Sequence, residues 1–416
     1  MNKLANLLFL TLAIVFQCNL FAQTSTVLVF EHANVIDGLS AEPLRDVTVV
    51  VRDGKIESIS PSQKNPAPSA QCFDLKGKWM LPGLIDAHVH PVSLKSAQNM
   101  LKTGVTTGRS MFAIHYVDVG LRELHRTGDT DIPEILAAGY PILPVPTQFQ
   151  PDITGMFLDM PELDDLRKDS DIGVEGVRRL VRANLNHHVN VIKVFATDRA
   201  GVPTSDPRQR MLSDVELAAA VDEARKAGAA VASHAHGDEG AAAAVRAGVN
   251  TIEHGTYLSD ETLKLMHERG VCFTPTLAAL AMRLNPASDS PDDVAMAIRK
   301  RAMLPRGREA ARRAHQIGVR VIAGSDSGYT PGEPHRIADD MSELVGIGMS
   351  PMEAIQAATS TSADCLGISK RTGSIRTGLE ADLMVVAENP LNDINAIRDV
   401  LLVVNDGQIA LNHLKF

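Results

Sequence analysis

The chain has 416 residues, 44% hydrophobic and 22% charged, enough for one large and one smaller domain. That balance excludes a disordered or membrane-embedded polypeptide. The net charge is −9, and no basic tract is present to neutralise phosphates, which excludes nucleic acid as a partner.

In chain order, Met1 to Phe16 sets Lys3 ahead of a short apolar run, and Leu20-Phe-Ala22 offers a small residue to a signal peptidase. The run is short for a membrane span. Residues 1–22 are therefore expected to be a cleaved signal peptide, leaving a periplasmic or secreted chain with no stable membrane insertion. Cys18 sits where a lipidated cysteine would, but Gln17 is bulky for the position before one. The remaining cysteines, Cys72, Cys272 and Cys365, are odd in number and unpatterned. They read as small buried hydrophobes, not as a disulfide framework.

Residues 23–80 carry β-rich runs such as Thr26-Val-Leu-Val-Phe and Val47-Thr-Val-Val-Val, punctuated by Asp-Gly turns at 37–38 and 53–54. A similar texture returns in 372–416, in Ala381-Asp-Leu-Met-Val-Val and Leu401-Leu-Val-Val-Asn-Asp-Gly. Neither piece is large enough for its own core, so the two are predicted to pair into one small β-sandwich. Between them, residues 81–371 alternate short apolar runs with helical segments. The runs begin at Leu84, Val105, Glu134, Val191, Ala230, Thr251, Val271 and Arg320. Ser213 and Glu216 form a capping-box pair opening a helix that Gly228 closes, and Ser350-Pro351 opens another. The pattern predicts an α/β chain with a (β/α)8 TIM barrel. No glycine-rich phosphate loop follows a strand, which weakens the rival open sheet.

Chemistry in such a barrel sits where strands end. There the sequence offers His88 and His90, two apart and so on one face of a strand, then Lys193, His234 with His236, His254 and Asp326. Four imidazoles and a carboxylate suit Zn²⁺ or a similar first-row ion. Lys193 cannot bind a cation as an ammonium, and its charge is costly within Val-Ile-Lys-Val-Phe. Its neutral amine can add CO₂, giving a carbamate able to bridge two ions. Further polar groups on the same rim, His236, Arg199 and Tyr329, could bind the free carboxylate of a substrate.

The ordered set Pro-Gly-Leu-Ile-Asp-Ala-His-Val-His, Val-Ile-Lys-Val, Ser-His-Ala-His-Gly-Asp-Glu-Gly, Thr-Ile-Glu-His-Gly, Ala-Gly-Ser-Asp-Ser-Gly and Gly-Leu-Glu-Ala-Asp-Leu-Met-Val-Val resembles the amidohydrolase superfamily, in its imidazolonepropionase-like or prolidase-like branch. The resemblance spans essentially the whole mature chain. It implies a distorted barrel beside a β-sandwich and a centre of two divalent ions, zinc foremost. By position, His88 and His90 would bind the more buried ion and His234 and His254 the other. Lys193 would bridge as a carbamate, Asp326 would complete the first site and act as the catalytic acid and base, and His236 would contact substrate. The stretch Pro141–Gly155 and the loop Thr197–Asp206 depart from the branch's commoner patterns, so reaction class transfers better than substrate. The implied reaction is hydrolysis of a small-molecule amide, a dipeptide or an N-acyl amino acid, by a metal-bridging hydroxide, with carboxypeptidase-like or prolidase-like specificity. The rivals are a cyclic-amide hydrolase of the imidazolonepropionase type and a non-catalytic binding protein on a decayed barrel. Homo-oligomers are compatible with the sequence, which does not fix the native metal or the acyl and amine parts of the substrate.

Overall fold

The structure is a computed structural model that describes residues 27–62, 70–143, 172–282, 284–333 and 336–414. The expected signal segment, Cys18 with it, and most of the 141–155 stretch lie outside those residues.

The N-terminal region forms β1 (Val27–Val35), β2 (Leu44–Arg52), β3 (Lys55–Pro61), β4 (Gln71–Asp74) and β5 (Trp79–Pro82). The middle supplies β6 (Leu84–Val89), β7 (Val105–Ser110), β8 (Glu134–Leu136), β9 (Val191–Phe195), β10 (Ala230–Ala235), β11 (Thr251–His254) and β12 (Cys272–Thr274), with helices between them. β13 (Leu383–Val386), β14 (Val400–Asn405) and β15 (Gln408–Asn412) close the chain.

Both chain ends enter one sheet, ordered β15-β14-β13-β5-β1-β2-β3, with β4 beside β1. The joining ladder is antiparallel and pairs Leu383 with Pro82 and Val385 with Met80. Alternation along β2 buries Val47, Val49 and Val51, which meet Phe30, Met80, Leu383 and Leu402 in a separate apolar cluster. Asp53-Gly54 and Asp406-Gly407 both take positive φ between adjacent antiparallel strands, the backbone a two-residue hairpin turn requires.

The middle region is α/β, with parallel strands in two sheets, β6-β7-β8 and β12-β11-β10-β9. Single bridges connect them: Ile142 pairs with Val194, and the segment 320–327 pairs with Phe273 on one side and Val89 on the other. The eighth run, expected as a strand from Arg320, is thus extended chain held by isolated bridges. The physical reason lies in its hydrogen bonds. The Gly324 and Ser325 N–H groups donate to the buried carboxylates of Asp340 and Asp86, at 3.1 and 2.9 Å, in place of ladder partners. Gly324 is also required sterically, since a Cβ there would lie 2.8 Å from the His88 Cβ.

The helix starts follow their sequence signals. Ser213 and Glu216 make a reciprocal capping box on Asp214–Lys226, and Ser350 caps Pro351–Ala357. Among the described residues no helix is long and apolar enough to cross a membrane.

The cysteine expectation needs correction. Cys272 and Cys365 form a disulfide with Cα atoms 6.2 Å apart, and Cys72 is free and exposed. The pairing was illegible because 93 residues separate the partners and only the fold brings β12 against the helix Ser360–Cys365. Closing so long a loop restricts the unfolded chain, so Cys365→Ala is expected to cost about 2–4 kcal/mol, measured by urea unfolding without reductant.

Burial pushes the Asp340 carboxyl up to about 7 against the pull of two backbone N–H donors. A carboxyl whose folded pKa exceeds its unfolded value gives stability that is present below about pH 4 and lost as pH rises through about 7. The unfolding midpoint of Asp340→Asn is therefore expected to fall less steeply between pH 5 and 8 than that of the parent protein.

Candidate metal centre

The parallel strands deliver imidazoles at their C-terminal ends. His88 and His90 come from β6 and the residue after it, His234 from β10 with His236 just beyond, and His254 from the last position of β11. Asp326 enters from the bridge segment. His254 and Asp326 both hold left-handed backbone, with φ of +75 and +55. Such strain costs about 1–3 kcal/mol per residue and persists only where packing over-determines it.

Two groups of donor atoms result, each with its atoms within 4.8 Å of one another: His88, His90 and Asp326, and His234, His236 and His254. The His90 Nε2 lies 3.0 Å from the Asp326 Oδ1, and the His88 Nε2 lies 3.5 Å from the same oxygen. Ring centroids of His88 and His254 are 4.9 Å apart, so the two groups adjoin. Burial, with the nearby Lys193 charge, lowers His88 to about 4, and burial lowers His236 to about 3. His234 and His254 are likewise pushed well down by burial and by the neighbouring imidazoles. The rings are thus neutral near pH 7 and offer lone pairs.

Lys193 lies on β9, 1% exposed, and its Nζ has no hydrogen-bond partner among the described residues. Burial lowers its amine to about 8, against the attraction of Glu253 and Asp326. A buried amine with no hydrogen-bond partner among the described residues, lining one cavity with both groups of donors, fits a ligand set completed by an added group and does not fit a structural ion pair.

These residues line a cavity of about 520 Å³ whose walls include Phe112, Leu143, Phe195, Leu280 and Met303. Arg199 lines it too. His236 does as well, with its Nδ1 2.9 Å from the Thr256 hydroxyl. Tyr329 does not. It is fully buried, its hydroxyl donates to Asp86 at 2.8 Å, and its left-handed backbone turns the ring inward. The expected substrate contact from Tyr329 is therefore corrected to a structural one.

Two residues escaped the sequence reading. Glu253, 0% exposed, accepts from the Arg109 guanidinium at 2.8 Å and lies 2.8 Å from the His88 Nδ1. Burial raises its carboxyl, but Arg109, the His88 hydrogen bond and the nearby Lys193 together outweigh that and hold it well below the usual range. The carboxylate thereby fixes a proton on the His88 Nδ1 and leaves Nε2 facing Asp326. The available signal was a glutamate immediately before a strand-end histidine in Thr-Ile-Glu-His-Gly, and an arginine within the otherwise small-residue run Val105-Thr-Thr-Gly-Arg.

The chain is 34% identical over 229 residues to an ochratoxinase of Aspergillus niger, a match covering 55% of this chain and 47% of the relative. It thus spans about half the length of that relative. It is 30% identical over 382 residues to an uncharacterized protein of Mycobacterium tuberculosis, covering 90% of this chain and 94% of the other. Among solved structures, a Xaa-Pro dipeptidase with methionine bound in its active site is similar at a TM-score of 0.82 and 28% identity, over 92% of this chain and 99% of that one. Residues 79–410 match the description of the amidohydrolase family, and the chain belongs to that family.

Proposed function

We propose that the protein is a metal-dependent hydrolase that cleaves the amide bond of a dipeptide or N-acyl amino acid, on a (β/α)8 barrel over residues 81–371 flanked by a β-sandwich from both chain ends. The observation that carries the reading is the buried Lys193 amine, which has no hydrogen-bond partner among the described residues and lines one cavity with both groups of metal-ligand donors. The likeness to a Xaa-Pro dipeptidase supports the substrate class. The disulfide supports export, since such bonds persist in oxidising compartments.

His88, His90 and Asp326 would hold one divalent ion, zinc foremost, and His234 and His254 the other. The neutral Lys193 amine would add CO₂ and release a proton, and the anionic carbamate so formed would supply a further oxygen ligand. Bound ions lower the pKa of water and polarise the scissile carbonyl. Asp326 accepts the proton of the attacking water and returns it to the leaving amine. His236 and Arg199 face the substrate, and the apolar walls exclude bulk water from it.

Elemental analysis is expected to give near two metals per chain. Lys193→Ala should lose metal and turnover together and regain part of both with short carboxylic acids; full metal content without rescue would defeat the carbamate.

Glu253→Gln keeps the shape but weakens the hold on the His88 tautomer. Metal affinity is expected to drop about 10–100-fold, read by competition with a chelating dye.

Arg199 in the cavity predicts recognition of a free carboxylate. A substrate's C-terminal amide should show kcat/KM about a hundredfold lower than the acid, roughly 2.7 kcal/mol of transition-state binding. Arg199→Met should erase the difference.

A further inference from the structure

At the opposite end of the parallel strands lies a second polar cavity, of about 470 Å³, between the end-joining sheet and the helix Val117–Arg126. Thr106 is the second residue of β7, Asn405 ends β14, and Asp382 immediately precedes β13. Donor oxygens of Glu380, Asp382 and Asp406 lie within 4.8 Å of one another, and Asp382 is buried. The site already described uses none of these residues.

Acidic neighbours alone mark no site, but two residues lining this cavity carry buried side-chain oxygens that have no hydrogen-bond partner among the described residues. The Asn405 side chain, 1% exposed, donates its amide hydrogens to the Thr130 and Ile132 carbonyls at 3.0 and 2.9 Å. Those two bonds fix the amide's orientation, so its Oδ1 is a true acceptor, and it has none of the donors it needs. The Thr106 hydroxyl, on a residue also 1% exposed, is likewise buried and unpaired. A buried acceptor left without a donor is unfavourable, and two on residues lining one cavity call for a shared ligand.

Charge points the same way. Glu134, Glu380, Asp382 and Asp406 line the cavity against Arg126, Arg371 and His125. The His125 Nδ1 faces the Ile132 carbonyl and its Nε2 faces the Asp406 carboxylate, each at 3.0 Å, so both nitrogens carry protons. Arg371 pairs with Glu134 and Glu380 and His125 with Asp406, while Asp382, held by the Thr372 hydroxyl at 2.6 Å, has no cationic partner among the described residues.

We propose that Glu380, Asp382, Asp406, the Asn405 side-chain oxygen and the Thr106 hydroxyl form a calcium site that ties the end-joining sheet to the strands carrying the candidate metal centre. All five donors are oxygens, as a hard cation prefers. They are contributed irregularly from separate segments, which calcium tolerates and the smaller, strictly octahedral magnesium does not.

The test titrates the protein as purified with calcium chloride and, separately, magnesium and zinc chlorides, reading heat of binding and thermal midpoint. One calcium per chain and a midpoint that rises with calcium are expected. Thr106→Val, isosteric on its strand, should weaken calcium about tenfold without lowering the calcium-free midpoint, and Asp406→Asn should abolish the effect. An unchanged midpoint, equal binding by the parent protein and both variants, or a larger response at this site to magnesium or zinc would overturn the assignment.

Discussion

The buried Glu253 carboxylate is the contact on which the site's arrangement depends. It sits on β11, takes the Arg109 guanidinium from β7, and holds the His88 ring from β6. A carboxylate at 0% exposure persists as an ion only with a full set of partners, and here Arg109 and His88 bring them from two other strands. The Arg109 Nε also donates to the Ala87 carbonyl at 2.7 Å, so the same guanidinium locks the backbone that aims His88. Registry between strands, the tautomer of one ring and the direction of its lone pair therefore follow from one charge balance.

A second carboxylate works beside it. Asp86 accepts from Ser325 N–H, at 2.9 Å, and from the Ser325 and Tyr329 hydroxyls at 2.6 and 2.8 Å. These bonds fasten the bridge segment that carries Asp326, in which side chains replace a strand ladder. The arrangement leaves Asp326 on strained backbone facing two imidazoles, while the apolar strand bodies beneath supply rigidity. Chemistry is concentrated at one end of the parallel strands, and the seam with the end-joining sheet lies at the other, so a change at the seam reaches the metal centre only through the strands.

Much of this was legible in the sequence. Histidines at strand ends, the spacing of His88 and His90, the lysine inside an apolar run and the capping residues Ser213 and Ser350 are local signals. Local geometry obeys them because a two-residue period or a single cap needs no distant partner. The β-rich texture of both chain ends also foretold that they meet, since neither can bury its apolar face alone.

What the sequence by itself determined, then, was the kind of chemistry and the elements that bear it. Tertiary structure alone decided which buried charges neutralise one another, that Cys272 pairs with Cys365, that Tyr329 bonds to Asp86 and does not line the cavity, and that Asn405 and Thr106 line a second cavity with Glu380, Asp382 and Asp406. Each depends on contacts between residues far apart in the chain, where no period or motif records the partner. The cost of burying an unpaired polar group fixes such pairings only once the packed chain has removed water as the alternative.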